Sequence, residues 1–192
     1  FNINTALEIN LISKKRYIME ATLLNQSDNG QIKLREISLF NWGSFADLHT
    51  AHIDPNGTLI TGDNGAGKST LVDGLMALLM PPSRANFNIA AAQNDKADRT
   101  ILSYMRGSYG QEHDGTTTAT KSKRSQKVVT GLRAYYRQDN GNDITLIALF
   151  WADSTATSAS DVKRLYLVAN RDVKLKTVLA EFDEKYDRTF KT

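Results

Sequence analysis

The stretch from Gly62 to Thr70, GDNGAGKST, constrains this chain most strongly because it matches the phosphate-binding pattern G-x-x-x-x-G-K-[ST]. The short β-branched run before it, residues 58–61, predicts a buried strand. The run after it, residues 71–79, is apolar on nearly every side and predicts a buried helix. Strand, glycine-rich loop and helix in this order form the context in which the pattern binds phosphate. We therefore expect a nucleotide site here.

The residue types in this P-loop follow from the charge of a triphosphate. Glycines at positions 62, 65 and 67 permit positive φ and let backbone N–H groups approach the phosphates closely. The helix that opens at Lys68 aims its unsatisfied N–H groups and positive dipole end at the same charge. We expect Lys68 to act as the catalytic cation on the β- and γ-phosphates and Ser69 to ligate Mg²⁺. Thr70 is expected to bind the α-phosphate.

Composition excludes several protein classes. The chain has 192 residues, enough for one domain with a sizeable core, and no cysteine, which excludes a disulfide scaffold and a cysteine-based zinc site. No apolar run is long enough to span a membrane and no secretory signal is evident, so we expect a cytoplasmic protein. Lys and Arg number 24 against 21 Asp and Glu, a mild surplus that permits a polyanionic partner without requiring one.

The first part of the chain reads as an arm followed by a β-hairpin. Residues 1–30 are predicted as an N-terminal arm or leader. Alternation begins at Gln31 and changes parity at Arg35–Glu36, which predicts a β-bulge. A tight turn over residues 41–47 then leads into a second strand that ends at Ile53. This places an antiparallel hairpin directly before the phosphate-binding strand.

The remainder of the chain, up to residue 192, completes one lobe. The P-loop helix should stop at Met80 because prolines follow it, and a second helix should end before Gly107. Residues 108–127 are polar and of low complexity, and they predict a flexible surface loop. Alternating or continuous apolar runs then predict three strands and an amphipathic helix, over residues 128–137, 144–152, 164–168 and 174–186.

Basic residues offer a second candidate site. The polar loop carries four basic residues that are candidates for contact with DNA phosphates, although a solvated loop has the same composition. They are Lys121, Lys123, Arg124 and Lys127. Arg99 and Arg106 lie seven residues apart on one predicted helical face, where DNA, the nucleotide or an ion pair are the alternatives.

Four segments of the chain, in their sequence order, resemble the N-terminal half of an SMC-type ATPase head, within the ABC class. The resemblance is closest to the MukB-like subfamily, especially the JetC-type ATPases of Wadjet anti-plasmid systems. It covers residues 31–186 and implies an α/β P-loop NTPase of the ABC/SMC head type, with a mixed sheet, an antiparallel β subdomain and flanking helices. The segments that carry it are LFNWGSF at 39–45, TGDNGAGKST at 61–70, DRTILSYMRG at 98–107 and KRLYLVANRDV at 163–173.

The resemblance also implies an activity and partners. Heads of this kind form a homodimer around two ATP molecules, sit at the end of a long coiled coil, and use ATP cycling to drive DNA translocation or loop extrusion. In the Wadjet family the ATPase works with a kleisin, a small winged-helix subunit and a toprim-type nuclease that cuts plasmids. This chain would then be an ATP-binding half-head acting on double-stranded DNA in bacterial defence, without membrane contact.

The sequence departs from the whole-family pattern at several points. It has no signature motif and no coiled-coil heptads, and the nearest Walker B candidate, residues 146–154, lacks the expected glutamate and reads as a core strand. We therefore expect the half-head alone to bind nucleotide poorly and to hydrolyse it hardly at all.

The turn before the P-loop departs from the relatives as well. Many relatives carry Arg or Lys where this chain has Gly43, so a nucleotide contact there must come from the backbone, from Asn41, or not at all. Trp42 is expected in the core. The predicted ATP-binding set is thus Asn41, Gly62, Asp63, Asn64, Gly65, Ala66, Gly67, Lys68, Ser69 and Thr70.

Two other readings remain open beside the SMC-like head. One is a related ABC-type DNA-repair ATPase of the SbcC or RecF kind, which would differ in the sequence after Thr192. The other is a non-catalytic module in which ATP serves only to dimerise the protein. It predicts that Lys68→Ala spares ATP turnover and alters assembly alone. A transporter ATPase is the weakest alternative, because such chains carry a signature motif closer to the P-loop.

Overall fold

We describe the protein from a computed structural model over residues 31–81, 87, 100–114, 117–139 and 141–189. The predicted arm, residues 1–30, lies outside these residues. The described chain forms strands and helices in the order β1 Ile32–Trp42, β2 Phe45–His52, α1 Lys68–Leu79, α2 Ile101–Arg106, β3 Ser108–Asp114, β4 Thr117–Ser122, β5 Val128–Gln138, β6 Asp143–Ala152, β7 Lys163–Ala169 and α3 Leu175–Thr189, with a 3₁₀ turn at Ala159–Asp161.

Five strands make one sheet in the order β2-β1-β5-β6-β7, and every neighbouring pair is antiparallel. This confirms the predicted antiparallel subdomain flanked by helices. The parallel component of a mixed sheet is not found among the described strands. Strand β6 lies between β5 and β7 and is buried along most of its length, which confirms that the Walker B candidate is a core strand.

The first hairpin forms as the sequence predicted. The register of β1 against β5 shifts between Leu34 and Glu36, which is the predicted bulge. β1 and β2 are joined by a tight turn at Gly43 and Ser44, with φ of +51° at Asn41 and +55° at Gly43. This turn brings the end of β1 close to the P-loop.

Helices cover both faces of the sheet. On one face, α1 and α2 pack over a cluster that includes Leu39, Trp42 and Phe150, all at most 1% exposed. On the other face, Leu175 and Leu179 of α3 pack against the sheet at Ile147 and Leu149. The P-loop therefore stands at the edge of a well-packed layer formed by α1, α2 and the sheet.

The predicted strand before the P-loop is not formed. Residues 58–61 have no regular structure, Leu59 is 87% exposed, and Ile60 is 40% exposed. A strand needs a neighbour for its backbone hydrogen bonds, and in the described part of the chain none pairs with this segment. On α1, the apolar residues Val72 and Leu79 are also exposed, at 49% and 43%.

The predicted flexible loop is also different in the structure. Residues 108–114 and 117–122 form the two strands of a separate antiparallel hairpin, β3–β4. Gly107, at a φ of +62°, ends α2 as predicted and leads directly into this hairpin. Among the described residues, no helix combines the length and apolar character that crossing a membrane requires.

Candidate nucleotide-binding site

The P-loop adopts the backbone geometry that its glycines predict. Gly62, Gly65 and Gly67 have φ of +149°, +84° and +93°, and α1 begins at Lys68 immediately after them. Space at Gly67 is also limited, because an added Cβ would lie 3.0 Å from Cζ of Phe45 and 3.2 Å from Oγ of Ser44. The β1–β2 turn thus packs directly against the loop at the start of α1.

Lys68 spans the P-loop. Its Nζ donates hydrogen bonds to the carbonyl oxygens of Gly62 at 2.6 Å and Asp63 at 2.9 Å. Residues 62–66 and Ser69 are exposed, so the loop and the first turn of α1 are accessible to a ligand. A phosphate is a stronger acceptor for an ammonium than a neutral carbonyl, so Lys68 is placed to exchange these carbonyls for phosphate oxygens.

A cluster of aromatic side chains contacts the first turn of α1, next to the P-loop. Trp42, at the end of β1, is fully buried and stacks on Tyr104 of α2 with ring centroids 4.5 Å apart, and Phe87 contacts both rings edge-on. The indole Nε1 of Trp42 donates to the carbonyl oxygen of Thr70 at 2.9 Å. The prediction that Trp42 belongs to the core is confirmed, and the core here contacts the P-loop helix itself.

A buried polar pair, which the sequence reasoning missed, joins α1 to α2. Asp73 is only 5% exposed, and its Oδ2 accepts a hydrogen bond from the Tyr104 hydroxyl. The backbone N–H of Gly43 in turn donates to the Tyr104 carbonyl oxygen at 2.7 Å. A charged residue in the otherwise apolar run LVDGLMALL was the signal available in the sequence, because a buried charge requires a partner.

The side-chain amide of Asn41 is hydrogen-bonded within the protein. Its Nδ2 donates to the carbonyl oxygen of Val129 at 3.2 Å, and its Oδ1 accepts from the backbone N–H of Asp47 at 3.2 Å. Both ends of the amide are therefore used to hold the turn against β5 and β2. A nucleotide contact by Asn41 stays a prediction from the sequence.

The Arg106 side chain forms its hydrogen bonds with the protein's own backbone. Its guanidinium donates to six carbonyl oxygens, at distances of 2.6 to 3.3 Å. They belong to Arg124, Ser125, Gln126, Asp153, Ser154 and Ala156. These bonds hold the segment before β5 against the segment after β6. Arg99 lies outside the described residues.

The four predicted DNA-contacting residues do not share one environment. Arg124 is half-buried, and its guanidinium donates to carbonyl oxygens of Met105 at 2.6 Å and Gly43 at 2.9 Å. Burial lowers the pKa of this group. Lys123 donates to the carbonyl oxygen of Ser44 at 3.4 Å. Arg124 is therefore a backbone anchor rather than an exposed DNA contact, whereas Lys121 and Lys127 are exposed.

The predicted protein ligand of a magnesium ion is a single hydroxyl, that of Ser69. In the part of the chain that the structure describes, no three His, Cys, Asp or Glu side chains come together in a way that could hold a metal ion. Mg²⁺ bound together with substrate phosphates usually keeps several waters and takes few protein ligands. Ser69, the predicted ligand of the cation, is exposed in the first turn of α1.

The fold and the loop together define an α/β P-loop NTPase. The model of the P-loop containing region of the AAA domain matches residues 34–94, which include most of β1 and all of β2, the P-loop and α1. This span begins at the hairpin ahead of the P-loop. The match therefore includes the β1–β2 turn as well as the glycine-rich motif.

Two curated proteins show what the chain is similar to. It is 34% identical over 105 residues to the chromosome partition protein MukB of Haemophilus ducreyi, a match covering 53% of this chain and 7% of MukB. It is 38% identical over 52 residues to the retron Vc95 probable ATPase of Vibrio cholerae, covering 27% of this chain and 10% of that protein. The chain thus spans a small part of the length of either relative.

Proposed function

We propose that this chain is the ATP-binding N-terminal part of an SMC-like ATPase head of the MukB type. The observation that carries the proposal is the P-loop, in which Lys68 begins a helix and reaches over the loop carbonyls. The similarity to MukB supports the choice of this class, because it extends over 105 residues and thus well beyond the nine-residue motif.

ATP with Mg²⁺ is the ligand that this arrangement fits. The backbone N–H groups of the loop and of the α1 N-terminus attract phosphate, Lys68 adds a full positive charge, and Ser69 supplies a hydroxyl for the cation. Bound Mg²⁺ would neutralise charge on the β- and γ-phosphates. The chain's own contribution is to fix the phosphates at the start of α1.

Hydrolysis requires residues that the described chain does not provide. A cleft of about 470 Å³ lies beside the exposed segment 58–61 and is lined by apolar groups that include Ile53, Ile60, Leu71 and Leu75. Exposed apolar surface of this kind indicates a missing packing partner. We propose that the second half of the head covers this surface, pairs with segment 58–61, and completes the ATPase in a head dimer.

DNA is the proposed substrate of the complete protein. By resemblance, ATP cycling would drive DNA translocation or loop extrusion with a kleisin, a winged-helix subunit and a toprim-type nuclease, in defence against plasmids. On this chain, the exposed Lys121 and Lys127 remain the candidates for phosphate contact. An SbcC- or RecF-like repair ATPase is the alternative that the same P-loop and hairpin allow.

The test of the proposed function is ATP binding and turnover by the full-length protein and its Lys68→Ala variant. We expect the variant to lose turnover while it folds normally, because the change removes one charge at the phosphates and no core volume. Lys176→Ala on α3, across the sheet, is the matched control and should retain turnover. Normal turnover in Lys68→Ala, with altered assembly alone, would instead establish the non-catalytic dimerisation module.

The DNA proposal has its own measurement. Replacing Lys121 and Lys127 together by Ala should lower the affinity for double-stranded DNA and reduce the slope of log K against log salt by about 1–2, since each phosphate contact contributes a slope of about 0.9. Lys176→Ala again serves as the control for a general loss of charge. An unchanged salt slope in the double variant would contradict a phosphate contact at these lysines.

A further inference from the structure

Lys123 is a basic residue in the segment between β4 and β5. Its Nζ donates to the carbonyl oxygen of Ser44, in the β1–β2 turn, at 3.4 Å. The Oγ of the same Ser44 lies 3.2 Å from the position that a Cβ on Gly67 would occupy, and Gly67 is the residue that precedes α1. Ser44 is therefore a neighbour both of the Lys123 ammonium and of Gly67, the residue before the phosphate-binding helix.

The backbone of Lys123 is held in this place. Its N–H donates to the carbonyl oxygen of Gly107 at 3.4 Å. The next N–H, of Arg124, donates to the carbonyl oxygen of Arg106 at 3.0 Å. The Arg124 guanidinium binds the β1–β2 turn by donating a hydrogen bond to the carbonyl oxygen of Gly43 at 2.9 Å. Because the segment is anchored on the turn itself, a contact between Lys123 and a nucleotide at the P-loop would cost little further chain entropy.

The side chain of Lys123 is free to exchange its acceptor. Its bond to Ser44 is at the long end of hydrogen-bond distances, its acceptor is neutral, and the residue is exposed. Within the described residues, Lys123 forms no salt bridge. A charged phosphate oxygen is a better acceptor for an ammonium than a peptide carbonyl.

Position 43 cannot supply this charge itself. Gly43 has no side chain, and an added Cβ would lie 2.5 Å from Cγ2 of Thr70 and 3.2 Å from Cδ1 of Tyr104, so a side chain there would have to displace that of Thr70. Lys68 is the only basic residue in the stretch from Gly62 to Thr70. A second cation for the phosphates must therefore arrive from another segment, and Lys123 is the lysine that touches the turn.

We propose that Lys123 is a second cationic ligand of the bound nucleoside triphosphate, reaching it across the β1–β2 turn. The proposal deepens the proposed function and rests on nucleotide binding at the P-loop. It separates Lys123 from Lys121 and Lys127, for which DNA is the proposed ligand. On nucleotide binding, Lys123 leaves the Ser44 carbonyl and its ammonium contacts a phosphate oxygen.

The test is equilibrium binding of ATP to the full-length protein at two salt concentrations. Lys123→Met keeps an unbranched apolar side chain as far as Cε and removes the ammonium, and it should weaken ATP binding about tenfold, which is the size of one charge-assisted hydrogen bond. Lys123→Arg should restore affinity to within about twofold of the native protein. Lys176→Met, on the far side of the sheet, is the charge-matched control and should bind ATP normally.

Two readouts separate contact with phosphate from support of the turn. Loss of a phosphate contact should reduce the salt dependence of ATP binding in Lys123→Met and leave the unfolding temperature without nucleotide unchanged. If Lys123→Met and Lys123→Arg both weaken binding and both lower that temperature, Lys123 only supports the turn and the proposal is wrong. Native ATP affinity in Lys123→Met overturns it as well, provided that Lys68→Ala binds weakly. Absence of ATP binding by the native protein would instead overturn the proposed function.

Discussion

The indole Nε1 of Trp42 lies 2.9 Å from the carbonyl oxygen of Thr70 and donates a hydrogen bond to it. This bond joins the last residue of β1 to the first turn of α1, which is the helix that begins in the P-loop. Because the same ring stacks on Tyr104, the sheet, α1 and α2 meet at one buried side chain. The position of the phosphate-binding loop is therefore tied to the packing of the core.

Trp42→Phe should destabilise the protein by about 1–3 kcal/mol, because it removes the hydrogen bond to Thr70 and leaves a small cavity while an aromatic stack remains possible. Denaturant unfolding measures the change. Trp151→Phe is the matched control, since Trp151 is only partly buried and contacts Phe182 at the rim of the sheet. An effect of Trp42→Phe no larger than that of the control would contradict the role of the indole N–H.

Gly43→Ala should distort the P-loop and weaken nucleotide binding. The added methyl group would meet Thr70 at 2.5 Å, and φ of +55° is unfavourable for alanine, so we expect a loss of about 2–4 kcal/mol in the free energy of unfolding. Gly141→Ala separates the two causes, because Gly141 has a positive φ of +93° and open space around it. A similar loss in both variants would mean that the contact with Thr70 is unimportant.

Arg106→Ala should destabilise the protein by about 2–4 kcal/mol, because six carbonyl oxygens of the chain each lose a donor at once. Arg106→Lys should recover only part of the loss, since an ammonium lacks the planar fork that reaches both segments. Arg137→Ala is the control. Arg137 is exposed and its ion pair with Asp143 is 3.6 Å long, so its removal should change stability by less than about 1 kcal/mol.

A charged network ties β1 and β5 to the segment before α3. The fully buried Arg133 donates to Glu36 at 2.8 Å and to Asp172 at 2.6 Å, and Lys174 bridges the same two carboxylates. Burial alone would raise the pKa of both carboxyl groups. The hydrogen bonds and charges of Arg133 and Lys174 outweigh it and hold the pKa of Glu36 and that of Asp172 below their ordinary values.

This network should make stability depend on pH on the acid side. A carboxyl group whose pKa is lowered by folding stabilises the protein fully above its unfolded-state pKa, about 4, and loses that contribution as pH falls through the folded value. We therefore expect the unfolding temperature to fall as pH is lowered below about 4–5. Glu36→Gln should be less stable at pH 7 and show a flatter acid dependence, whereas Asp139→Asn, on the exposed surface, should keep the native pH profile.

The sequence was sufficient for those elements whose signal is local. The bulge at Arg35–Glu36, the end of α1 before Pro81 and the end of α2 at Gly107 follow from side-chain alternation, proline and glycine, which act within a few residues. The P-loop backbone belongs to the same group, because its positive φ values depend on glycines at fixed spacing. These predictions are confirmed.

Other features depended on contacts distant in sequence. The run at residues 58–61 has the composition of a strand, but a strand forms only when a neighbour satisfies its backbone, and no described segment does so. Composition also predicted a loop at residues 108–127, where the pairing of β3 with β4 forms a hairpin instead. Neither outcome follows from the residues of the segment alone.

The sequence by itself determined that a phosphate-binding loop starts a helix at Lys68, because motif, glycines and helix are contiguous. Only the tertiary structure decided which side chains surround that loop. Arg106 and Arg124 bind backbone carbonyl oxygens, Asn41 holds a turn, and Lys123 reaches Ser44 from a segment 79 residues away along the chain. A charged side chain is directed by the acceptors and the space that folding brings to it, and these come from the whole chain.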